Sequence, residues 1–231
     1  VYDGTYDGTV RVHDIQTGEE IRRFSAHTTV VSSVAYNADG TQIASVAWDR
    51  TVHIWDVEQG SEVASFVGFS DRVLSMAFSP DGKSLVMGIG NIGNNIYTGN
   101  DDSVDQSLWL WDVQNGEQID AFTAHPDWVW AVDLSADGSM AVTGGGPLNL
   151  PADLEENADA EAALLASTTV LVWDVETLEV IATLPAHTST VDSVRFHPDG
   201  ERVLTSSWDS QIILWDIATE SQIRSYEGGH E

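Results

Sequence analysis

The sequence predicts an all-β chain built from one repeated four-strand unit, and three observations carry that prediction. A Trp-Asp pair closes each unit, at Trp55-Asp56, Trp111-Asp112, Trp173-Asp174 and Trp215-Asp216, with His13-Asp14 as an altered copy. An Asp-Gly turn sits between apolar runs at the same point of each unit, at Asp39-Gly40, Asp81-Gly82, Asp137-Gly138 and Asp199-Gly200. Glycine supplies the positive φ that such a hairpin turn needs. Finally, the runs are apolar on both faces, as Val52 and Ile54 alternate with His53 and Trp55. That suits a sheet packed between two neighbours better than one wetted on a face.

The closing aspartates give the period. They are 42, 56, 62 and 42 residues apart from Asp14 to Asp216, so two units are bare and two carry insertions of 14 and 20 residues. The unit openings keep the same register: Ala26-His27, Ala124-His125, Ala186-His187 and Gly229-His230, with Gly68-Phe69 in the equivalent slot. Within a unit, alternation and turns place the first strand at Val31–Tyr36, Val73–Phe78, Val129–Leu134 and Val191–Phe196. The second strand follows at Gln42–Val46, Ser84–Gly88, Met140–Gly144 and Arg202–Ser206. The third is at Thr51–Trp55, Ser107–Trp111, Thr169–Trp173 and Gln211–Trp215, and the fourth at Glu62–Phe66, Gln118–Phe122, Val180–Leu184 and Gln222–Tyr226. Small Ala, Ser and Gly residues among the large ones fit a tapering wedge of sheets.

A period of about 40–45 residues ending in Trp-Asp marks four-strand propeller blades. On these closures, openings and turns the chain resembles the WD-repeat β-propeller family over essentially its whole length. The resemblance implies a half blade in residues 1–26 and blades at 27–68, 69–124, 125–186 and 187–229. Rings of this family most often have seven blades. The expectation is therefore about four and a half blades of a larger ring, either a fragment of a longer protein or a chain whose missing blades come from elsewhere.

The same resemblance gives the recurring histidines a structural role. In the family a blade-opening His, a second-strand Ser or Thr, a turn Asp and the third-strand Trp form a hydrogen-bonded tetrad. The sets here are His27, Ser45, Asp49 and Trp55, and His187, Thr205, Asp209 and Trp215. A lone His–Ser–Asp set would suggest nucleophilic catalysis, but its recurrence from blade to blade argues against that, since an enzyme needs one site. Two blades depart from the pattern. Phe69 and Met87 replace the His and the hydroxyl residue beside Asp105 and Trp111, and Ser167 stands where Asp would be beside His125, Thr143 and Trp173.

Those two blades also carry the insertions, roughly Ile89–Ser103 and Gly145–Ala166, both between second and third strands. Long loops on one end of a rigid scaffold usually carry function. Asn100, Asp101, Asp102 and Asp105 end the first insertion, but their spacing matches no calcium loop and reads as a solvated turn. The second reads as a short helix near Ala152–Leu165, with Leu154 and Leu165 packed on the propeller top. Trp109 is read onto the opposite-facing half of its strand, in the core. Tyr6, Trp48, Trp128, Trp130 and Trp208 form the candidate partner-binding set, which the resemblance puts at or near the top face. Exposed aromatics are enriched in interface hot spots.

Composition narrows the partner. The chain carries 37 Asp and Glu against 9 Lys and Arg, a net charge of −28. Such a surface repels phosphate backbones and anionic lipid, so nucleic acid and membrane surfaces are poor partners. The charge reads either as a solubility device or as an adaptation to high salt. The chain has no cysteine, no phosphate-cradling glycine loop and no run of about 18 apolar residues. No catalytic, metal or cofactor site is assigned. The expected function is a non-enzymatic scaffold whose top face binds a protein or peptide with a basic or apolar contact surface. The alternative is a structural subunit of a larger assembly or multidomain sensor.

Overall fold

The computed structural model describes residues 8–69, 71–90, 107–123, 125–147, 162, 164–166, 168–185 and 187–227. Its strands are β1 (Thr9–His13), β2 (Glu20–Ser25), β3 (Val31–Tyr36), β4 (Gln42–Ala47), β5 (Val52–Asp56), β6 (Ser61–Phe66), β7 (Arg72–Phe78), β8 (Ser84–Gly90) and β9 (Ser107–Asp112). They continue as β10 (Glu117–Thr123), β11 (Val129–Leu134), β12 (Met140–Gly145), β13 (Val170–Asp174), β14 (Val180–Leu184), β15 (Val191–Phe196), β16 (Arg202–Ser207), β17 (Gln211–Asp216) and β18 (Ser221–Glu227). Each run of four from β3 onward forms one antiparallel meander, and β1 pairs with β2 alone. The architecture is thus all-β, with propeller-type four-stranded sheets that do not close into a ring among the described residues. No helix among these residues is long and apolar enough to cross a membrane.

The turns explain the meanders. In the β3–β4 connection Gly40 takes φ 72° and its amide returns to Asn37 O, while Asp39 Oδ1 accepts the Thr41 amide at 2.9 Å. The other Asp-Gly turns repeat this bond with Gly82, Gly138 and Gly200 at φ 70°, 75° and 74°. After the third strand, the closing Asp56, Asp112, Asp174 and Asp216 each cap the next turn by accepting amides two or three residues on.

The core lies between sheets. Ala44, Val46, Val52, Ile54 and Phe66 of one sheet meet Phe69, Val73, Met76 and Leu85 of the next. Val86 and Leu108 meet Val129, Val132, Ala141 and Trp173, and Val142, Val170 and Val172 meet Val191, Val194, Val203 and Trp215. First strands β3, β7, β11 and β15 pack on one another along the inner side. Two glycines on second strands set the spacing. A Cβ on Gly88 would lie 2.7 Å from Val129 O, and one on Gly144 would lie 2.6 Å from Val191 Cγ1. The close approach of successive sheets leaves no room for a side chain there.

Two sequence expectations are corrected by this packing. Trp109 shares a face with Trp111, their rings stacked at 6.2 Å with planes 13° apart, because residues two apart in a strand point the same way. In the second insertion Ala162 and Leu164–Ala166 are helical, but Leu165 is 52 % exposed and Leu164 is the residue that packs. A one-residue step on a helix turns a side chain through about 100°, enough to exchange buried for exposed. Leu154, Ser167, Asn100, Asp101, Asp102, Asp105 and Gly229-His230 lie outside the described residues.

Candidate interaction face

The turn between second and third strands fixes the geometry of one end of the sheets. In Ala47-Trp48-Asp49-Arg50 the Arg50 amide returns to Ala47 O at 3.2 Å, and Arg50 takes φ 65°. Ser207-Trp208-Asp209-Ser210 repeats this with a 3.1 Å bond and Ser210 at φ 68°. Tryptophan at the outer corner of such a turn points away from the sheet, while the following aspartate is turned back beneath it.

Each aspartate then meets a buried histidine. The Trp55 indole N–H donates to Ser45 Oγ at 2.9 Å, and the Ser45 hydroxyl lies 2.8 Å from His27 Nε2. His27 Nδ1 stands 3.3 Å from the Asp49 carboxylate, which also accepts the Thr28 amide at 2.7 Å. In the last sheet Trp215 donates to Thr205 Oγ1 at 3.0 Å, Thr205 is 2.7 Å from His187 Nε2, and His187 Nδ1 donates to Asp209 Oδ2 at 2.9 Å. The arrangement pairs every polar atom taken out of water, which is what a buried polar chain requires. Ser45 and Thr205 are fully buried, so neither hydroxyl faces solvent.

The departures have physical consequences. His125 keeps its 2.8 Å bond to Thr143, which also accepts from Trp173 at 2.8 Å, but its Nδ1 has no partner among the described residues. Burial, partly opposed by the Thr143 bond, lowers its pKa to about 4. Burial also lowers His27, with Asp49 pulling the other way. In the β7–β10 sheet Phe69 fills the histidine position, its ring 5.0 Å from Trp111 and 5.4 Å from Trp109, and both indole N–H groups lack acceptors among the described residues. Met87 cannot accept as Ser or Thr would, and stacked aromatic area takes the place of the hydrogen bonds.

The candidate aromatics separate into three groups. Trp128, Trp130 and Trp208 form a continuous line, with ring centroids 5.0 and 6.0 Å apart. Trp128 is buried, a correction to its place in the partner-binding set, its ring packed beside Gly90 and Trp130. Trp130 is half-buried, its N–H donating to Gly146 O at 2.9 Å, and Trp208 is 50 % exposed. Trp48 stands apart, half-buried under the guanidinium of Arg72, 4.5 Å from the ring centroid. Tyr6 lies outside the described residues.

Sequence reasoning missed two features. Every first strand carries a register break, between Val31 and Ser33, Val73 and Ser75, Val129 and Ala131, and Val191 and Ser193. Such a bulge re-aims the extra residue, and Trp130 is the one it re-aims toward Trp208. Asp127 is also buried, which raises its carboxyl to about 6 against the 2.8 Å bond from the Trp128 amide. Among the described residues no group of three His, Asp or Glu is placed to hold a metal ion.

Comparison with known proteins adds the following. The family described as WD domain, G-beta repeat matches residues 18–56, 60–112, 116–146 and 178–216. The chain is 29 % identical over 131 residues to nuclear distribution protein PAC1-1 of Uncinocarpus reesii, covering 55 % of this chain and 29 % of that one. It is 30 % identical over 131 residues to the guanine nucleotide-binding protein subunit beta of Zea mays, covering 54 % and 29 %. Over 58 residues it is 40 % identical to retinoblastoma-binding-like protein E of Dictyostelium discoideum, covering 25 % and 11 %. The chain therefore spans less than a third of the length of each of these relatives.

Proposed function

Because the chain belongs to the WD domain, G-beta repeat family, we propose that it is a non-enzymatic scaffold that holds a protein or peptide on the face carrying Trp48, Trp130 and Trp208. Proteins of this family typically act as interaction scaffolds. The observation that carries the reading is the line of rings ending in Trp208, half exposed at a turn corner on a rigid sheet. A large flat ring that loses little entropy on contact is a typical anchor of protein interfaces. The net charge of −28 favours a partner whose contact surface is basic or apolar and disfavours nucleic acid. Affinity capture tests the reading. Trp208→Ala is expected to lose a partner that the parent protein and Ile15→Ala, altered at an exposed turn elsewhere, both retain. Retention by all three refutes this face.

A second reading, a repeat segment whose end is covered inside an assembly, draws on one observation. Leu204 and Ile212 are 41 % and 37 % exposed, whereas Ala44, Val86 and Val142, and Val52, Leu108 and Val170, at the corresponding positions, are buried. In this reading a further sheet-like element covers the β15–β18 face in the working protein. The chain has no cysteine, so Ile212→Cys gives a single labelling site. Slow maleimide labelling in the native assembly, against fast labelling of these 231 residues alone, is the expected result. Equal rates refute it.

A further inference from the structure

The turn that follows each third strand is built to one plan. Its closing aspartate accepts the amide three residues on, from Thr17, Gln59, Asn115, Thr177 and Thr219, at 2.6–2.9 Å. The same slot supplies a side-chain donor. Thr177 Oγ1 donates to Asp174 Oδ1 at 3.1 Å, Thr219 Oγ1 to Asp216 Oδ1 at 2.8 Å, and Asn115 Nδ2 to Asp112 Oδ2 at 3.0 Å. A hydroxyl in this slot is stable to water, whereas a carboxamide can be hydrolysed. Asn115 is exposed, and it is the only asparagine of the 231 residues that precedes a glycine. Glycine lacks the Cβ that would hinder approach of its amide nitrogen to the preceding side chain. Gly116 takes φ 68°, and its amide donates to Asp112 O at 3.0 Å. A Cβ built on it would stand 3.0 Å from Phe66 Cε1, so the turn lies against the preceding sheet as well as joining β9 to β10.

We propose that Asn115-Gly116 is a self-modifying site, where deamidation with water as the only co-reactant replaces the side-chain donor of this turn by a carboxylate. The Gly116 amide nitrogen gives up its proton and bonds to Asn115 Cγ. The Cγ–Nδ2 bond breaks, and ammonia leaves carrying that proton. Water then opens the succinimide at either carbonyl and returns a proton to the Gly116 nitrogen. Opening at Cγ leaves aspartate, while opening at the backbone carbonyl leaves isoaspartate, with one extra carbon in the main chain. Either way the turn loses an N–H donor to Asp112 and gains a negative charge beside it, so attraction gives way to repulsion. The longer main chain of isoaspartate also moves Gly116 from its place against Phe66. Thr177 and Thr219 hold the same slot with no such reaction open to them.

The parent, Asn115→Thr and Asn115→Asp proteins are aged at mildly alkaline pH and followed by fragment mass mapping. The expected result in the parent is an amide-to-carboxylate mass change in the fragment holding Asn115, split between aspartate and isoaspartate species and faster as pH rises. Unfolding in urea should speed it by roughly ten- to thirtyfold, because the folded turn must first release the bonds made by the Gly116 amide and Asn115 Nδ2. A native protein that keeps Asn115 intact while the unfolded chain converts completely overturns the site, and so does earlier conversion of another asparagine. Urea midpoints read the structural consequence. Asn115→Asp and the aged parent should both unfold at lower urea than the fresh parent, while Asn115→Thr should match the fresh parent before and after ageing. An Asn115→Asp midpoint equal to that of the parent overturns the role given to the lost donor.

Discussion

Acidification sets two buried side chains of the β11–β14 sheet against each other. Burial lowers His125 from 6.5 to about 4, and burial raises Asp127, two residues on, from 3.8 to about 6. In the unfolded chain both return to ordinary values. As pH falls from about 6.5 toward 4, the unfolded state takes up a proton at His125 that the folded state refuses. This contribution to stability is therefore fully present above the unfolded value and lost on the way down to the folded one. Asp127 has the opposite sign: the folded state keeps a proton that the unfolded state releases. It costs stability above about pH 6, and the cost fades as pH falls toward 3.8. At 1.36 kcal/mol per pH unit each effect is roughly 3 kcal/mol, and over one window they nearly cancel. Urea unfolding of the parent, His125→Gln and Asp127→Asn across this range separates them. His125→Gln is expected to gain about 3 kcal/mol relative to the parent on acidification. Asp127→Asn is expected to lead the parent by up to about 3 kcal/mol at neutral pH and to lose that lead near pH 4. Taking differences from the parent removes the titration of the remaining carboxylates. If both variants track the parent throughout, burial holds neither group neutral and the reasoning fails.

Asp209→Ala leaves His187 Nδ1 and the Thr188 and Gln211 amides without their acceptor, so a loss of about 1–3 kcal/mol is expected in denaturant unfolding, and a loss under ~0.5 kcal/mol would refute it. Gly88→Ala places a methyl group against the Val129 carbonyl, which cannot yield, and should cost about 1–3 kcal/mol by the same assay. Gly144→Ala meets only valine side chains and should cost less; the reverse order would contradict the close approach of the backbone at Gly88. Screening of the −28 charge by molar NaCl, where the Debye length is about 3 Å, should raise the melting temperature, and a flat salt profile would show that self-repulsion is not a significant term.

The periodic part of the fold was legible because it repeats. Alternation and Asp-Gly turns place Val31–Tyr36, Val129–Leu134 and Val191–Phe196 where the strands run. The bulge at Ser32, Leu74, Trp130 and Asp192 was not legible, since one extra residue disturbs alternation too briefly to register. The fates of the candidate tryptophans were illegible for another reason. Whether such a ring is buried depends on what another sheet offers: Trp128 packs beside Gly90, Arg72 half-covers Trp48, and Trp208 is left half open. Residues far apart in sequence decide these outcomes, and only register at the sheet junctions connects them.

The four core layers lie between sheets, and this bears on how the molecule comes apart. A sheet whose apolar residues are all spent on its neighbours has no reserve to stand alone, so its persistence is borrowed from the sheets on either side. Loss of order should then travel as a front, one sheet at a time. Interior sheets should exchange their amides only after a neighbour has opened. A ligand bridging Trp130 and Trp208 would clamp two adjacent sheets together, and such a front would halt at the clamp.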